Sequence, residues 1–141
     1  MNYSQKVINN RVLVIDDEED VVDFLRIFLS SLGWTIAVAR SAAQAFAALD
    51  AGPFFLVLTD IAMPDMDGYE FVNAFRDRAA TSEIAMMTGF GYNPKHTLIK
   101  INKTMKCAFF FKPFDRFKVA EGVQQSWNAY HHSIFLSHQR D

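Results

Sequence analysis

Runs of consecutive apolar residues alternate along this chain with stretches in which apolar residues recur every three to four positions. Residues 12–15 (Val-Leu-Val-Ile) and 54–58 (Phe-Phe-Leu-Val-Leu) are continuous runs, and further candidates occupy 34–38, 84–87 and 108–111. Short continuous runs are typical of strands that are covered on both faces, as in parallel sheets. The pattern therefore predicts five buried strands separated by helices.

The predicted helices carry recognisable start and stop signals. The first has four apolar residues on one face and a glycine at its end: Val21, Leu25, Phe28, Leu32 and Gly33. Ser41 with Gln44 predicts a capped second helix. Asp115 is a candidate cap for the fifth helix, whose apolar stripe reaches Ile134, so we expect this helix to run past residue 130. Strands that alternate with helices predict one doubly wound α/β domain with functional groups at the carboxyl ends of its strands.

Composition narrows the class of protein. The chain has 141 residues, is 50% hydrophobic and contains 6 glycines and 4 prolines, which excludes collagen and disordered or low-complexity tails. A single cysteine, Cys107, cannot form an internal disulfide, so a reducing compartment is expected. No apolar run approaches the ~18 residues of a membrane span, and the first residues lack the apolar core of a signal peptide. We therefore expect a cytoplasmic domain.

The formal net charge of −2 hides an uneven distribution. Residues 1–70 contain 11 acids and 4 bases, a net −7, whereas residues 71–141 contain 5 acids and 10 bases, a net +5. Solvated helix faces explain such a split, but the lysines of the predicted fourth helix also suit an acidic partner: Lys95, Lys100, Lys103 and Lys106. The balance of charge predicts no direct nucleic-acid binding.

Polar residues stand at the ends of four predicted strands. Asp16 and Asp17 follow the first, Asp60 ends the third, Thr88 ends the fourth and Lys112 ends the fifth. In an open parallel sheet these ends share one edge. Crowded carboxylates repel one another, and an oxygen-only site suits Mg²⁺, Mn²⁺ or Ca²⁺. The lysine and the hydroxyl can also bind phosphate. Together these residues predict phosphoryl transfer, with a carboxylate as a candidate nucleophile.

The segments that hold these residues resemble the receiver domain of two-component response regulators. They are residues 12–18 (Val-Leu-Val-Ile-Asp-Asp-Glu), 57–68 (Val-Leu-Thr-Asp-Ile-Ala-Met-Pro-Asp-Met-Asp-Gly), 87–89 (Met-Thr-Gly) and 111–114 (Phe-Lys-Pro-Phe). The resemblance implies a flavodoxin-like (βα)5 fold, with a five-stranded parallel sheet in the order 2-1-3-4-5 and helices on both faces. We expect an N-terminal extension (1–10), a receiver domain (11–130) and a C-terminal tail or helix extension (131–141).

The same resemblance implies a role for the residues of the acidic edge. Asp60 is the expected phosphoacceptor, which would attack a phosphohistidine and become an aspartyl phosphate. Asp16 and Asp17 are the expected Mg²⁺-binding pair, with Asp60 and the backbone carbonyl of Ala62 as further ligands and Mn²⁺ as an alternative ion. Lys112 is expected to pair with the acceptor carboxylate and then with the phosphoryl group.

Further positions are expected to switch or time the signal. Thr88 matches the hydroxyl that turns toward a phosphoryl oxygen, and Phe109 matches the aromatic residue that turns inward with it. Ala62 and Phe90 occupy the two positions that tune attack by water; because neither can orient water by hydrogen bonding, we expect slow self-dephosphorylation. The bond before Pro113 is a candidate cis peptide, because cis bonds are accessible almost solely before proline.

The resemblance predicts phosphorelay signalling. The expected phosphodonor is a sensor histidine kinase or a histidine phosphotransfer protein. The output is expected on the face formed by the predicted fourth helix, fifth strand and fifth helix, for a downstream protein, with the chain a monomer or a phosphorylation-linked dimer. Met1, ten residues before the first strand, argues against a position behind a kinase, and no DNA-binding or enzymatic domain follows the predicted receiver within the 141 residues. We therefore expect a chemotaxis-type single-domain receiver; the alternative is an N-terminal receiver of a longer regulator.

Three other classes fit the sequence less well. A phosphatase of the haloacid dehalogenase kind would have a second aspartate two residues after its nucleophile, where this chain has Ala62. A flavin or nucleotide binder would have a glycine-rich turn after the first strand, where this chain is acidic. A degenerate receiver that serves as an interaction module would lack part of the set at the strand ends. We therefore expect no enzymatic activity beyond Mg²⁺-dependent self-phosphorylation and slow self-dephosphorylation.

Overall fold

A computed structural model describes residues 9–60, 81–88 and 108–139, together with residues 70, 73–75 and 78. Five strands form one parallel sheet in the order β2-β1-β3-β4-β5. They are β1 (Arg11–Ile15), β2 (Thr35–Ala39), β3 (Leu56–Asp60), β4 (Glu83–Thr88) and β5 (Ala108–Phe111). This is the predicted doubly wound order, in which β1 and β3 lie side by side at the centre of the acidic edge.

Helices cover both faces of the sheet. The described helices are α1 (Glu19–Ser31), α2 (Ala42–Ala51) and the C-terminal helix α3 (Arg116–Gln139), and residues 70, 73–75 and 78 are also helical. The predicted fourth helix, with its lysines, lies outside the described residues. No helix in the described part of the chain combines the length and the apolar character that crossing a membrane requires.

Alternate residues of β1 point into two separate cores. Leu13 and Ile15 join a cluster with residues of α2 and the buried Phe75, whereas Val12 and Val14 join a cluster with residues of α1 and α3. These four side chains of β1 are fully buried. A central strand that is covered on both faces has no side exposed to water, which explains why its sequence is a continuous apolar run.

The predicted helix ends are confirmed. Gly33 follows α1 with a φ of 99°, a conformation that glycine adopts without strain. The Ser41 hydroxyl accepts a hydrogen bond from the Gln44 backbone N–H at 3.1 Å, at the start of α2. A carboxylate oxygen of Asp115 accepts from the backbone N–H of Phe117 at 2.9 Å. These bonds satisfy backbone donors that the first turn of a helix leaves unpaired.

Two strands begin later than the apolar pattern predicts. The third strand is expected from residue 54 but β3 begins at Leu56; the carbonyl of Phe54 accepts a hydrogen bond from the Ser82 hydroxyl at 2.6 Å, and the backbone of Phe55 makes the first bonds to Arg11 and Glu83. The second strand was expected from residue 34 but β2 begins at Thr35, because the backbone N–H of Trp34 donates back to Leu29 at the end of α1. Apolar patterning does not distinguish these backbone partners.

The C-terminal helix is continuous across residue 130, as the extension of its apolar stripe predicted. Tyr130 is buried, and His131 lies against the start of the described chain, where its Nε2 accepts a hydrogen bond from the Asn9 backbone N–H at 2.8 Å. The Nδ1 atom of His131 lies 3.0 Å from the carbonyl oxygen of Trp127. These contacts attach the part of α3 around residue 131 to the amino end of the sheet, opposite the acidic edge.

Candidate functional site

The carboxyl ends of the strands bring the predicted polar residues to one edge of the sheet. Asp60 and Thr88 are the last residues of β3 and β4, and Asp16 and Lys112 directly follow β1 and β5. The side chains of Asp16, Asp60 and Thr88 are buried. Because the strands are parallel and in register, four separate segments of the chain contribute to one small polar site.

Three carboxylates form the acidic part of this site. Asp16, Asp17 and Asp60 each offer an oxygen atom, and the three atoms lie within 4.8 Å of one another. Asp16 is fully buried and Asp60 is 5% exposed, whereas Asp17 is open to solvent. Hard divalent cations prefer carboxylate oxygens and retain water ligands, so this mixture of buried and exposed oxygens fits a metal ion of that class.

Asp16 is held in place by contacts on both of its carboxylate oxygens. Its Oδ1 accepts from the Glu18 backbone N–H at 2.9 Å, and its Oδ2 accepts from Lys112 Nζ at 2.8 Å. Its own backbone N–H donates to the carbonyl of Ala39 on β2 at 3.1 Å. The first acidic residue after β1 therefore has a fixed orientation that links three segments of the site.

Lys112 is the cation of the site and is shared by three acids. Its Nζ atom lies 2.8 Å from Asp16, 3.2 Å from Glu18 and 3.2 Å from Asp60. The Lys112 backbone N–H donates to the carbonyl of Thr88 at 2.8 Å, which fixes the residue beside the end of β4. An ammonium group has three N–H donors, so each donor of Lys112 faces one carboxylate.

The environment changes the pKa values of two of these groups. Burial raises the pKa of Asp16 above its ordinary value, against the hydrogen bonds from Lys112 and from the Glu18 backbone, which lower it. Burial alone would lower the pKa of Lys112, but the hydrogen bond to Asp16 and the charges of Asp60 and Asp16 outweigh it and raise that pKa. Lys112 is therefore a permanent cation at neutral pH.

Of the other predicted site residues, the structure describes Pro113 and Phe109. The bond between Lys112 and Pro113 is cis, as predicted. Phe109 is partly buried on β5 and packs against the core cluster that contains Met86. Ala62 and Phe90 lie outside the described residues.

Glu18 was not singled out for the site, although it is one of the three partners of Lys112. An acidic run before a helix has an explanation of its own, because acids interact favourably with a helix N-terminus. The available signal was its spacing, because Glu18 lies two residues beyond Asp16 in the turn that leaves the acidic edge.

The family profile of the response regulator receiver domain matches residues 12–124. The chain belongs to this family. Response regulator protein PilR of Pseudomonas aeruginosa is 32% identical to it over 113 residues, which are 80% of this chain and 25% of PilR. The chain thus spans about a quarter of the length of that curated relative. Membership identifies the chain as a two-component receiver domain that functions in phosphorelay signal transduction.

Solved receiver structures show the same fold. A CheY-like response regulator receiver domain protein from Methanospirillum hungatei has a TM-score of 0.82 at 22% identity, covering 89% of this chain and 98% of that one. The beryllofluoride-activated NtrC4 receiver domain dimer has a TM-score of 0.75 at 28% identity, covering 86% of this chain and 98% of that one. The acidic edge of this receiver therefore lies on a scaffold that other response regulators share.

Proposed function

We propose that this receiver accepts a phosphoryl group on Asp60 from the phosphohistidine of a sensor histidine kinase or a histidine phosphotransfer protein. The observation that supports this function best is the contact of Lys112 Nζ with Asp60 at 3.2 Å, beside two further aspartates. A carboxylate oxygen of Asp60 would form the new O–P bond while the P–N bond breaks. The histidine ring keeps the electron pair of that bond and takes up a proton.

The donor set fits Mg²⁺, with Mn²⁺ as an alternative ion. Asp16, Asp17 and Asp60 would hold the ion, and the family resemblance adds the backbone carbonyl of Ala62. When bound, a divalent cation neutralises charge on the phosphoryl oxygens. Lys112 supplies positive charge from the other side, because its ammonium already faces Asp60. Asp60 is a weak nucleophile, so the rate depends on this positioning and electrostatic support.

Phosphorylation would then bias a conformational equilibrium. The new group adds roughly one to two negative charges at the edge of the sheet. We propose that Thr88 turns its hydroxyl toward a phosphoryl oxygen and that Phe109, on the adjacent strand, moves inward with it. The readout would be the face that includes β5 and α3, with a downstream protein as its partner.

Incubation with a small acyl phosphate tests the proposed acceptor. The wild-type protein with Mg²⁺ should gain the mass of one phosphoryl group, and omission of the ion should greatly slow the gain. Asp60→Ala should gain none. Asp23→Ala is a matched control, because Asp23 is a partly exposed aspartate of α1 that pairs with Arg26 at the surface. Equal phosphorylation of Asp60→Ala and wild type would refute the assignment.

The lifetime of the phosphorylated state is a second part of the proposal. Ala62 and Phe90 offer no hydrogen bond to an attacking water, so the acyl phosphate should be lost slowly. Phe90→Glu should accelerate the loss of label, as measured by intact mass over time. Rapid loss from the wild-type protein, unchanged by Phe90→Glu, would contradict this part and leave the acceptor assignment intact.

The setting of the domain is also proposed. We infer that the chain works in the cytoplasm as a single-domain receiver, as a monomer or as a dimer linked to phosphorylation. The alternative is that it forms the N-terminal receiver of a longer regulator. The share of PilR that it matches fits that alternative. The family match favours signalling over the phosphatase alternative, and failure to hydrolyse phosphomonoesters would support the same conclusion.

A further inference from the structure

The side chain of Glu18 contacts Lys112 and does not cap the helix α1. Glu18 is the N-cap residue of α1, with an extended backbone (φ −83°, ψ 116°), yet its side chain makes no capping hydrogen bond. Short polar side chains (Ser, Thr, Asp and Asn) are the ones that ordinarily accept from the first turn of their helix, and the longer side chain of Glu18 is not bound to that role. Instead, Glu18 Oε1 lies 3.2 Å from Lys112 Nζ, and the Glu18 backbone N–H donates to Asp16 at 2.9 Å.

The contact with Glu18 completes the hydrogen bonding of Lys112. The three N–H groups of the ammonium face Asp16, Glu18 and Asp60. The side chain of Asp16 is 0% exposed and that of Asp60 is 7% exposed, whereas that of Glu18 is 60% exposed. The three partners therefore differ greatly in what it would cost to release them.

The N–H of Lys112 that faces Asp60 can follow a phosphoryl group on that residue, but a second N–H can reach the group only if Asp16 or Glu18 releases it. Release of Asp16 would leave a fully buried carboxylate without its cation, which is costly. Release of Glu18 returns an exposed carboxylate to water at little cost. We propose that Glu18 is a positioning residue, which occupies the third donor of Lys112 in the unphosphorylated receiver and gives it up to the incoming phosphoryl oxygen.

This inference rests on the proposed function and adds a competition to it. Because Glu18 and the phosphoryl group compete for one N–H of Lys112, loss of the Glu18 contact should make phosphorylation faster. A partly exposed ion pair corresponds to about a twofold to fivefold effect. The same loss should strengthen the binding of beryllofluoride, a phosphoryl mimic, by a similar factor. That equilibrium reports directly on the free donor of Lys112.

Three variants separate this contact from a general effect of charge. Glu18→Gln removes the negative charge and the ion pair. Glu18→Asp keeps the charge but shortens the side chain by about 1.5 Å, so a carboxylate that now lies 3.2 Å from Lys112 loses its hydrogen bond. Glu19→Gln is the matched control, because it removes a neighbouring acid of the first turn of α1 that is not a partner of Lys112.

The measurements are the phosphorylation rate with a small acyl phosphate and the beryllofluoride affinity, both at saturating Mg²⁺. We expect both Glu18 variants to be about twofold to fivefold faster and tighter than wild type, with Glu19→Gln unchanged. Thermal unfolding of each variant checks that the exposed substitutions leave the fold intact.

Other patterns would overturn the role of Glu18. If Glu18→Gln and Glu19→Gln both accelerate while Glu18→Asp behaves as wild type, the cause is the general negative field. If the Glu18 variants equal wild type, the competition does not exist, and if they are slower, Glu18 assists Lys112. In each of these cases the wild-type protein is still phosphorylated on Asp60, so the proposed function stands. An unlabelled wild type would instead refute the proposed function and this inference together.

Discussion

Replacement of Lys112 with methionine should destabilise the domain at neutral pH, because three carboxylates would lose the cation that they share. Lys112 is 11% exposed, and two of its partners are almost completely buried, Asp16 at 0% and Asp60 at 7%. Removal of one partner from a buried ion pair costs about 3–5 kcal/mol, since it leaves an uncompensated buried charge. The contact with the exposed Glu18 adds at most about 1 kcal/mol, so we expect a loss of about 3–5 kcal/mol.

Urea unfolding at neutral pH without divalent cations measures this loss. Lys118→Met is the control, because Lys118 is an exposed lysine of α3 and should cost little. A loss of less than about 1 kcal/mol for Lys112→Met would refute the inference that Lys112 offsets the repulsion within the acidic edge.

The pH dependence of the same variant provides an independent check. Burial raises the folded-state pKa of Asp16 above its ordinary value of 3.8, so the folded protein binds this proton more tightly than the unfolded chain. Stability from this group is therefore present below pH 3.8 and is lost as pH rises through the folded-state pKa. Without Lys112 that pKa rises further, so the deficit of Lys112→Met should shrink as the pH falls from neutral toward 3.8. Added Mg²⁺ should also stabilise the variant more than the wild type.

Three further substitutions test other parts of the structure by urea unfolding. Burial raises the pKa of Glu83 above 4.5, so its stabilising contribution is lost as pH rises through the folded-state pKa. Glu83→Gln should therefore be more stable than wild type at neutral pH and gain nothing below pH 4.5. A variant that is less stable than wild type at neutral pH would contradict this. We expect Gly122→Ala to be destabilising on balance, because the new Cβ would lie 2.7 Å from Cε1 of Phe110. Overpacking should cost about 1–3 kcal/mol, against a gain of about 1 kcal/mol in helix propensity. Net stabilisation would show that the ring moves aside. His131→Ala should cost about 1–2 kcal/mol through loss of the acceptor of the Asn9 N–H, and an unchanged midpoint would refute that contact.

The fold was largely predictable because the central strands are buried on both faces. The apolar run at 12–15 reflects four strand residues whose side chains are inaccessible to water, and parallel strands place their carboxyl ends together. These two facts are enough to predict from the sequence that one edge of the sheet holds Asp16, Asp60 and Lys112. The order of the strands came from the family resemblance, because periodicity does not specify which strands are neighbours.

Contacts between distant or exposed residues were not predictable in the same way. The hydrogen bond between Asn9 and His131 joins residues 122 positions apart, and no periodicity relates them. The contact between Glu18 and Lys112 depends on which way one exposed side chain turns at the start of α1. The sequence shows both the acidic run and the lysine. Acids are favourable at any helix N-terminus, so the acidic run does not by itself indicate that one of its members contacts Lys112.

Peptide mapping identifies the residue that receives the phosphoryl group, which we propose to be Asp60. The wild-type protein would be incubated with acetyl phosphate and Mg²⁺, digested under mildly acidic conditions and analysed by mass spectrometry. One peptide, which contains Asp60, should gain a phosphoryl group that hydroxylamine removes, as it removes other acyl phosphates. A phosphoryl group on any other residue, or none with donor and ion in excess, would show that Asp60 is not the acceptor.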